Sequence, residues 1–166
     1  VRRGQDTMAT VGDIQVLLRE ADRIGEPYRF VVVDSIGIGA GVADRLKEQG
    51  VAVVPVNVGQ TSRMPEKYKN LRAELWNAYR EWLGSGSVPL ELMTDSCSIQ
   101  YGYDSSGKLQ MERKEDMKKR GINSPDLADA ACLTFYPPSH ISMEDVRKRE
   151  ERGVPKKAIQ SFWNKF

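Results

Sequence analysis

The chain has 166 residues, 40% hydrophobic and 29% charged, which suits one ordinary globular domain with a real core. A net charge of +2 argues against a global basic field that binds nucleic acid by charge alone. Cys97 and Cys132 stand far apart and His140 is the sole histidine, which argues against a disulfide scaffold and a Cys/His zinc site and fits a reducing, cytoplasmic setting.

No apolar run is long enough to span a bilayer, and no signal peptide stands at the start. The first residue is Val rather than Met, which fits a fragment or a processed product. Residues 11–24 place Val11, Ile14, Leu17, Leu18, Ala21 and Ile24 on one face at helical spacing, and Gly25 and Pro27 end that helix. The run "FVVVD" that follows reads as a parallel strand over 29–34, buried on both faces. A helix from about Gly41 to Gln49 closes at Gly50, and "VAVVPV", 51–56, is a second strand. Strand, helix and strand with short joints predict a right-handed parallel crossover. Pro55 suggests an edge position, because proline cannot donate to the ladder.

After a loop, a long helix is predicted from about Glu66 to Leu83, with Leu71, Leu75, Trp76, Tyr79, Trp82 and Leu83 as its apolar stripe. Aromatics at that spacing belong to a core more readily than to a base-stacking surface. A short helix covers Leu90–Thr94, and residues 97–113 read as a β-hairpin turning at Asp104–Gly107. The stretch Lys108–Arg120 holds six basic residues and ends in "KEDMKKRG". "SPDLADAACLTFY" then opens a helix with Ser124 as N-cap and Pro125 at the first helical position. Pro137 and Pro138 stop it, and 137–166 is a charge-dense tail ending in "SFWNKF".

The segment "VVVDSIGIGAGVADRL" poses the functional question. A dinucleotide site wants a full glycine fingerprint and an acid after the next strand; here Val42 follows Gly37, Gly39 and Gly41, and the next strand ends in Asn57. Asp34 would also repel a pyrophosphate. A metal site wants carboxylates from separate elements at one sheet edge, and oxygen ligands suit Mg2+ and Mn2+. Asp34 ends a strand, where open α/β sheets bind ligands. Asp126 and Asp129 share a helix face near its N-terminus, where the dipole favours their ionised form. Each acid has a plain structural use: holding the glycine turn, favouring a helix end, or facing solvent. Together the three favour a metal site.

In order, "VVVDSIGIGAGVADRL", "VPVNVG", "EKYKNLRAELWNAYREWL", "IQYGYDSSGKLQMERKEDMKKRG" and "SPDLADAACLTF" resemble the C-terminal nuclease domain of large terminase subunits from tailed bacteriophages or prophages, over roughly residues 6–136. The resemblance implies an α/β, RNase H-like fold related to retroviral integrases and junction resolvases. That fold would be a mixed sheet with the parallel strands 29–34 and 51–56 flanked by helices, plus the hairpin. Residues 1–136 would be the nuclease domain and 137–166 its tail. It implies a divalent-metal endonuclease that cuts concatemeric double-stranded DNA during packaging, using two Mg2+ or Mn2+ ions. Asp34, Asp126 and Asp129 would be its catalytic, metal-ligating acids; of Lys114, Lys118, Lys119 and Arg120, which lie next to the acid helix in sequence, some are expected to contact DNA phosphates, the alternative being a solvated charged face. It also implies double-stranded DNA, the portal protein, the small terminase subunit and the terminase ATPase domain as partners, no membrane, and the cytoplasm of the bacterial host.

One departure matters. The family's first acid lies on a first strand upstream of the helix that here begins near Val11. The N-terminal strands of the fold are therefore expected to be absent from this chain, with metal binding poor, DNA cutting weak or nil, and an open strand edge available for self-association. A non-catalytic DNA- or portal-docking fragment, or another RNase H-like nuclease such as a junction resolvase, are the other readings. The metal chemistry needs no histidine, and His140, just after Pro137–Pro138, reads as a surface residue.

Overall fold

The computed structural model describes residues 6–136. They divide into two compact units, one ending at Val56 and the other running Asn57–Tyr136. His140, Pro137–Pro138 and the proposed tail 137–166 lie outside the described residues.

The first unit begins with helix α1 (Thr7–Arg23), capped by Asp6, whose carboxylate accepts the backbone N–H of Ala9 at 2.7 Å. The helix thus starts a turn earlier than the apolar spacing predicts, because its cap is polar. Strand β1 (Val31–Asp34) is followed by helix α2 (Ile38–Glu48) and strand β2 (Val53–Val56). β1 and β2 pair in parallel, with Val31 opposite Val53 and Asp34 opposite Val56, as the strand–helix–strand reading required. Val11, Val42, Ala43, Leu46 and Val53 form the core, with Ile14, Val31 and Val33 packed against it.

Two expectations fail here. β1 is half-buried along its whole length rather than buried on both faces. In this unit α2 packs on β1, β2 flanks one edge, and no other strand pairs with β1 among the described residues. On α1, Val11 and Ala21 are buried, but Leu17 and Ile24 are exposed. α2 covers a narrower band than the stripe offers.

The second unit is built on helix α3 (Leu71–Leu83), whose Leu71, Leu75, Trp76 and Tyr79 are buried. Tyr79 meets Trp76 edge-on and packs near Phe135, so Trp76 and Tyr79 are core, as read from their spacing, whereas Trp82 of the same stripe, at the end of the helix, is exposed. The helix starts at Leu71, not Glu66. Asn70 caps it by accepting the Ala73 N–H at 3.1 Å. The backbone at 67–69 is already committed to Leu109, giving it the Lys69 N–H and taking its N–H at the Lys67 carbonyl. Helix α4 (Leu90–Ser96) precedes the antiparallel hairpin of β3 (Tyr101–Tyr103) and β4 (Leu109–Met111). Its turn closes on Asp104, whose side chain accepts the N–H groups of Ser106 and Lys108, with Gly107 at φ +75°. The charged run folds as helix α5 (Lys114–Lys119), anchored by the fully buried Met117, and Gly121 ends it at φ +74°. Helix α6 (Asp126–Leu133) closes the unit, burying Ala128 and Cys132.

Candidate active site

Asp34 is the last residue of β1, in the first unit. Its Oδ1 accepts the backbone N–H of Ile36 at 3.2 Å, the local turn-holding bond foreseen as its plain structural use. The glycines after it have a packing reason. Gly37 sits at φ 66°, ψ −126°, a conformation closed to other residues, and turns the chain from strand into α2. A Cβ on Gly39 would lie 1.8 Å from the Asp34 carbonyl oxygen. Gly39 thus lets the first turn of α2 sit directly against the strand end that carries Asp34.

Asp126 and Asp129 lie in the second unit, in the first turn of α6. The predicted N-cap does not form. Pro125 occupies the cap position without a side-chain bond, and the Ser124 hydroxyl is buried with no hydrogen-bond partner among the described residues. Asp95, from α4, does the capping instead by accepting the Ala128 N–H at 2.9 Å. Nothing local to the helix marks this cap, because cap and helix are 33 residues apart.

Asp129 is heavily engaged. Its Oδ1 accepts the Trp76 indole N–H at 2.9 Å and the Arg72 Nε and Nη2 at 3.2 and 3.0 Å. Its Oδ2 takes a second bond from Arg72 Nη2 at 3.3 Å and pairs with Lys114 Nζ at 3.6 Å. Arg72 also donates from Nη1 to the Glu112 carbonyl at 3.0 Å. Arg72 and Trp76 are four apart on one face of α3, so their joint arrival at one carboxylate follows from helical geometry. That spacing was the signal available in the sequence; the target, 57 residues from Arg72, was not. Next to this acid, burial pushes the Cys132 thiol far up, with the Asp129 charge adding to the effect.

The four basic candidates behave differently. Arg120 grips Glu112 through Nε at 2.8 Å and Nη2 at 2.5 Å, and donates to the Ser98 carbonyl at 3.1 Å. That guanidinium holds the Glu112 carboxyl below its ordinary range. Lys119 pairs with Asp116 at 2.7 Å, and Lys114 with Asp129. Lys118 is exposed on α5. Among the described residues, no three His, Cys, Asp or Glu side chains gather closely enough to hold a metal ion. The described cysteines, Cys97 and Cys132, are both free. No helix among the described residues is long and apolar enough to cross a membrane.

No protein-family profile matches the chain. In sequence it is similar to a probable terminase large subunit of Enterobacteria phage P7, at 29% identity over 75% of this chain. It spans only 29% of that relative's length. In fold it is similar to the nuclease domain of the large terminase subunit gp2 of bacterial virus Sf6, at 21% identity and a TM-score of 0.52. A mutant of that domain with manganese matches at 20% identity and a TM-score of 0.58. Both matches cover 73% of this chain and 70% of the other. The chain therefore resembles a phage terminase large subunit in sequence, and its α/β fold resembles that of a terminase nuclease domain.

Proposed function

We propose that this chain supplies the nuclease of a viral DNA-packaging terminase, a divalent-metal-dependent endonuclease that cuts concatemeric double-stranded DNA in the cytoplasm of an infected bacterium. The observation that carries the reading is the agreement of two comparisons: a terminase large subunit by sequence, and a terminase nuclease domain by fold. Residues 1–136 form the nuclease domain and 137–166 a charged tail. Double-stranded DNA is the substrate, and the portal, the small terminase subunit and the terminase ATPase domain are its partners.

Asp34 and Asp126 are the acids that would hold Mg2+ or Mn2+. Their chemistry fits, since both are hard oxygen donors, one at the carboxyl end of a parallel strand and one in the first turn of a helix. The use of manganese with the similar Sf6 domain supports a divalent ion. A pair of such ions supplies, when bound, an activated water and charge stabilisation at the leaving 3′ oxygen. The chain's own residues bind and orient. Gly37 and Gly39 set the strand end that carries Asp34, and Lys118 on α5 holds a DNA phosphate.

The test is plasmid nicking by the purified chain in Mn2+, with Mn2+ affinity measured alongside. Nicking is expected to be weak and to disappear in Asp34→Asn and in Asp126→Asn, and Mn2+ affinity to fall in both. Unchanged affinity in both variants, or nicking that continues in a chelator, overturns the reading.

A further inference from the structure

We infer that Asp129 is a positioning residue and not a metal ligand: with Arg72 and Trp76 it pins α6, and so sets where the Asp126 carboxylate stands. The inference rests on the nuclease reading above and concerns the same site.

Both Asp129 oxygens are already committed to donors. Oδ1 takes the Trp76 indole and two Arg72 nitrogens, and Oδ2 faces Arg72 again and Lys114. The side chains of Arg72 and Asp129 are only 16% and 23% exposed, so water screens this pair weakly. A divalent ion arriving at Asp129 would meet a guanidinium and an ammonium at close range. It would also strip the buried Trp76 N–H of its acceptor.

The same bonds make an anchor. Arg72 ties α3 to α6 through Asp129 and to the backbone after β4 through the Glu112 carbonyl. Its own backbone N–H is held by the Val58 carbonyl at 2.8 Å. From the other side, Asp95 of α4 holds the Ala128 N–H. Asp126 lies one helical turn before Asp129, so fixing Asp129 and Ala128 fixes the helix segment that carries Asp126.

The two roles give opposite signs. If Asp129 positions, Arg72→Met loosens α6 and lowers Mn2+ affinity, by about the 10- to 100-fold typical of supporting residues around metal sites. If Asp129 is a ligand, Arg72 competes with the ion, and the same variant raises affinity. Arg72→Lys, which keeps the charge but not the forked geometry, serves if the Met variant does not fold; the same fall is expected, in smaller measure. Free Mn2+, read by its electron paramagnetic resonance signal, reports affinity in the intact chain. A second readout uses a chain in which Trp82→Phe and Trp163→Phe leave Trp76 as the reporter. Mg2+ at saturation is expected to leave its emission unchanged, because its hydrogen bond to Asp129 survives. A rise in affinity in the Arg72 variants, or a Mg2+-dependent shift of Trp76 emission, overturns the inference alone. Failure of both Asp34→Asn and Asp126→Asn to lower affinity overturns the nuclease reading, and this inference with it.

Discussion

Asp95 caps a helix to which it is not joined: its carboxylate, in the last turn of α4, accepts the backbone N–H of Ala128 in the first turn of α6 at 2.9 Å. The residue next to the helix that looks like a cap, Ser124, buries its hydroxyl without a partner among the described residues. The two serve opposite accounts of stability. Asp95→Ala should cost about 1 kcal/mol, the usual value of an N-cap. Ser124→Ala should be neutral or slightly stabilising, since it removes an unsatisfied buried hydroxyl. Urea denaturation of both variants decides; a loss of cap size in Ser124→Ala would show that the serine caps after all.

Within α2, Gly39 and Gly41 should respond in opposite ways to alanine. At Gly39 the new Cβ would stand 1.8 Å from the Asp34 carbonyl oxygen, a backbone atom that cannot move without displacing the strand end. Gly39→Ala should destabilise by about 3 kcal/mol or more, as overpacked sites do at their worst. At Gly41 the nearest atom is the Thr7 methyl at 3.6 Å, an ordinary contact. Gly41→Ala should therefore stabilise the helix by up to about 1 kcal/mol. Thermal unfolding of the pair measures both. Equal effects would mean that the glycine run has no packing role.

Glu74 is buried in α3, yet its carboxylate is held by several hydrogen-bond donors, one of them the Arg63 guanidinium. Its carboxylate accepts the Ser62 hydroxyl at 2.7 Å, the Arg63 N–H at 2.9 Å and the Arg63 Nε at 2.7 Å, and also pairs with Arg63 Nη2. Burial pushes its pKa up, but these hydrogen bonds outweigh burial and hold the carboxyl below its ordinary value of 4.5. A depressed folded-state pKa means that the stability it contributes is fully present above about pH 4.5 and is lost as pH falls through the lower folded value. Glu74→Gln should flatten that acid limb of the stability profile. Arg63→Met should cost about 2 kcal/mol at neutral pH, below the figure for a fully buried pair because Arg63 is 45% exposed. Chemical denaturation across pH checks both signs.

Among the basic candidates, Lys118 and Arg120 should separate binding from folding. Lys118 is exposed, so Lys118→Ala should leave the melting temperature unchanged and weaken binding to duplex DNA. The slope of log affinity against log salt should shrink by about 0.9, the value of one phosphate contact. Arg120 joins Glu112 and the Ser98 carbonyl, so Arg120→Ala should lower the melting temperature. A salt titration in which Lys118→Ala leaves the slope intact would remove α5 from the DNA surface.

Local chemistry wrote much of this protein into its sequence. The β-branched runs at 31–34 and 53–56, joined through a short helix, allow little but a parallel pair. The Asp104–Gly107 turn marks the hairpin, and Trp76 and Tyr79 of α3, at helical spacing, are core. The start of α3 was legible only in part. Asn70 is a cap that sequence reasoning could have found, but the pairing of 67–69 with Leu109 depends on a segment some 40 residues away. What the tertiary structure alone decided concerns charges. Which acid caps α6, which carboxylate receives Arg72, Trp76 and Lys114, and which cation stays exposed are all set by contacts distant in sequence. Hydrophobic periodicity reports on one element at a time, whereas a charged group's role depends on the partner that folding brings to it.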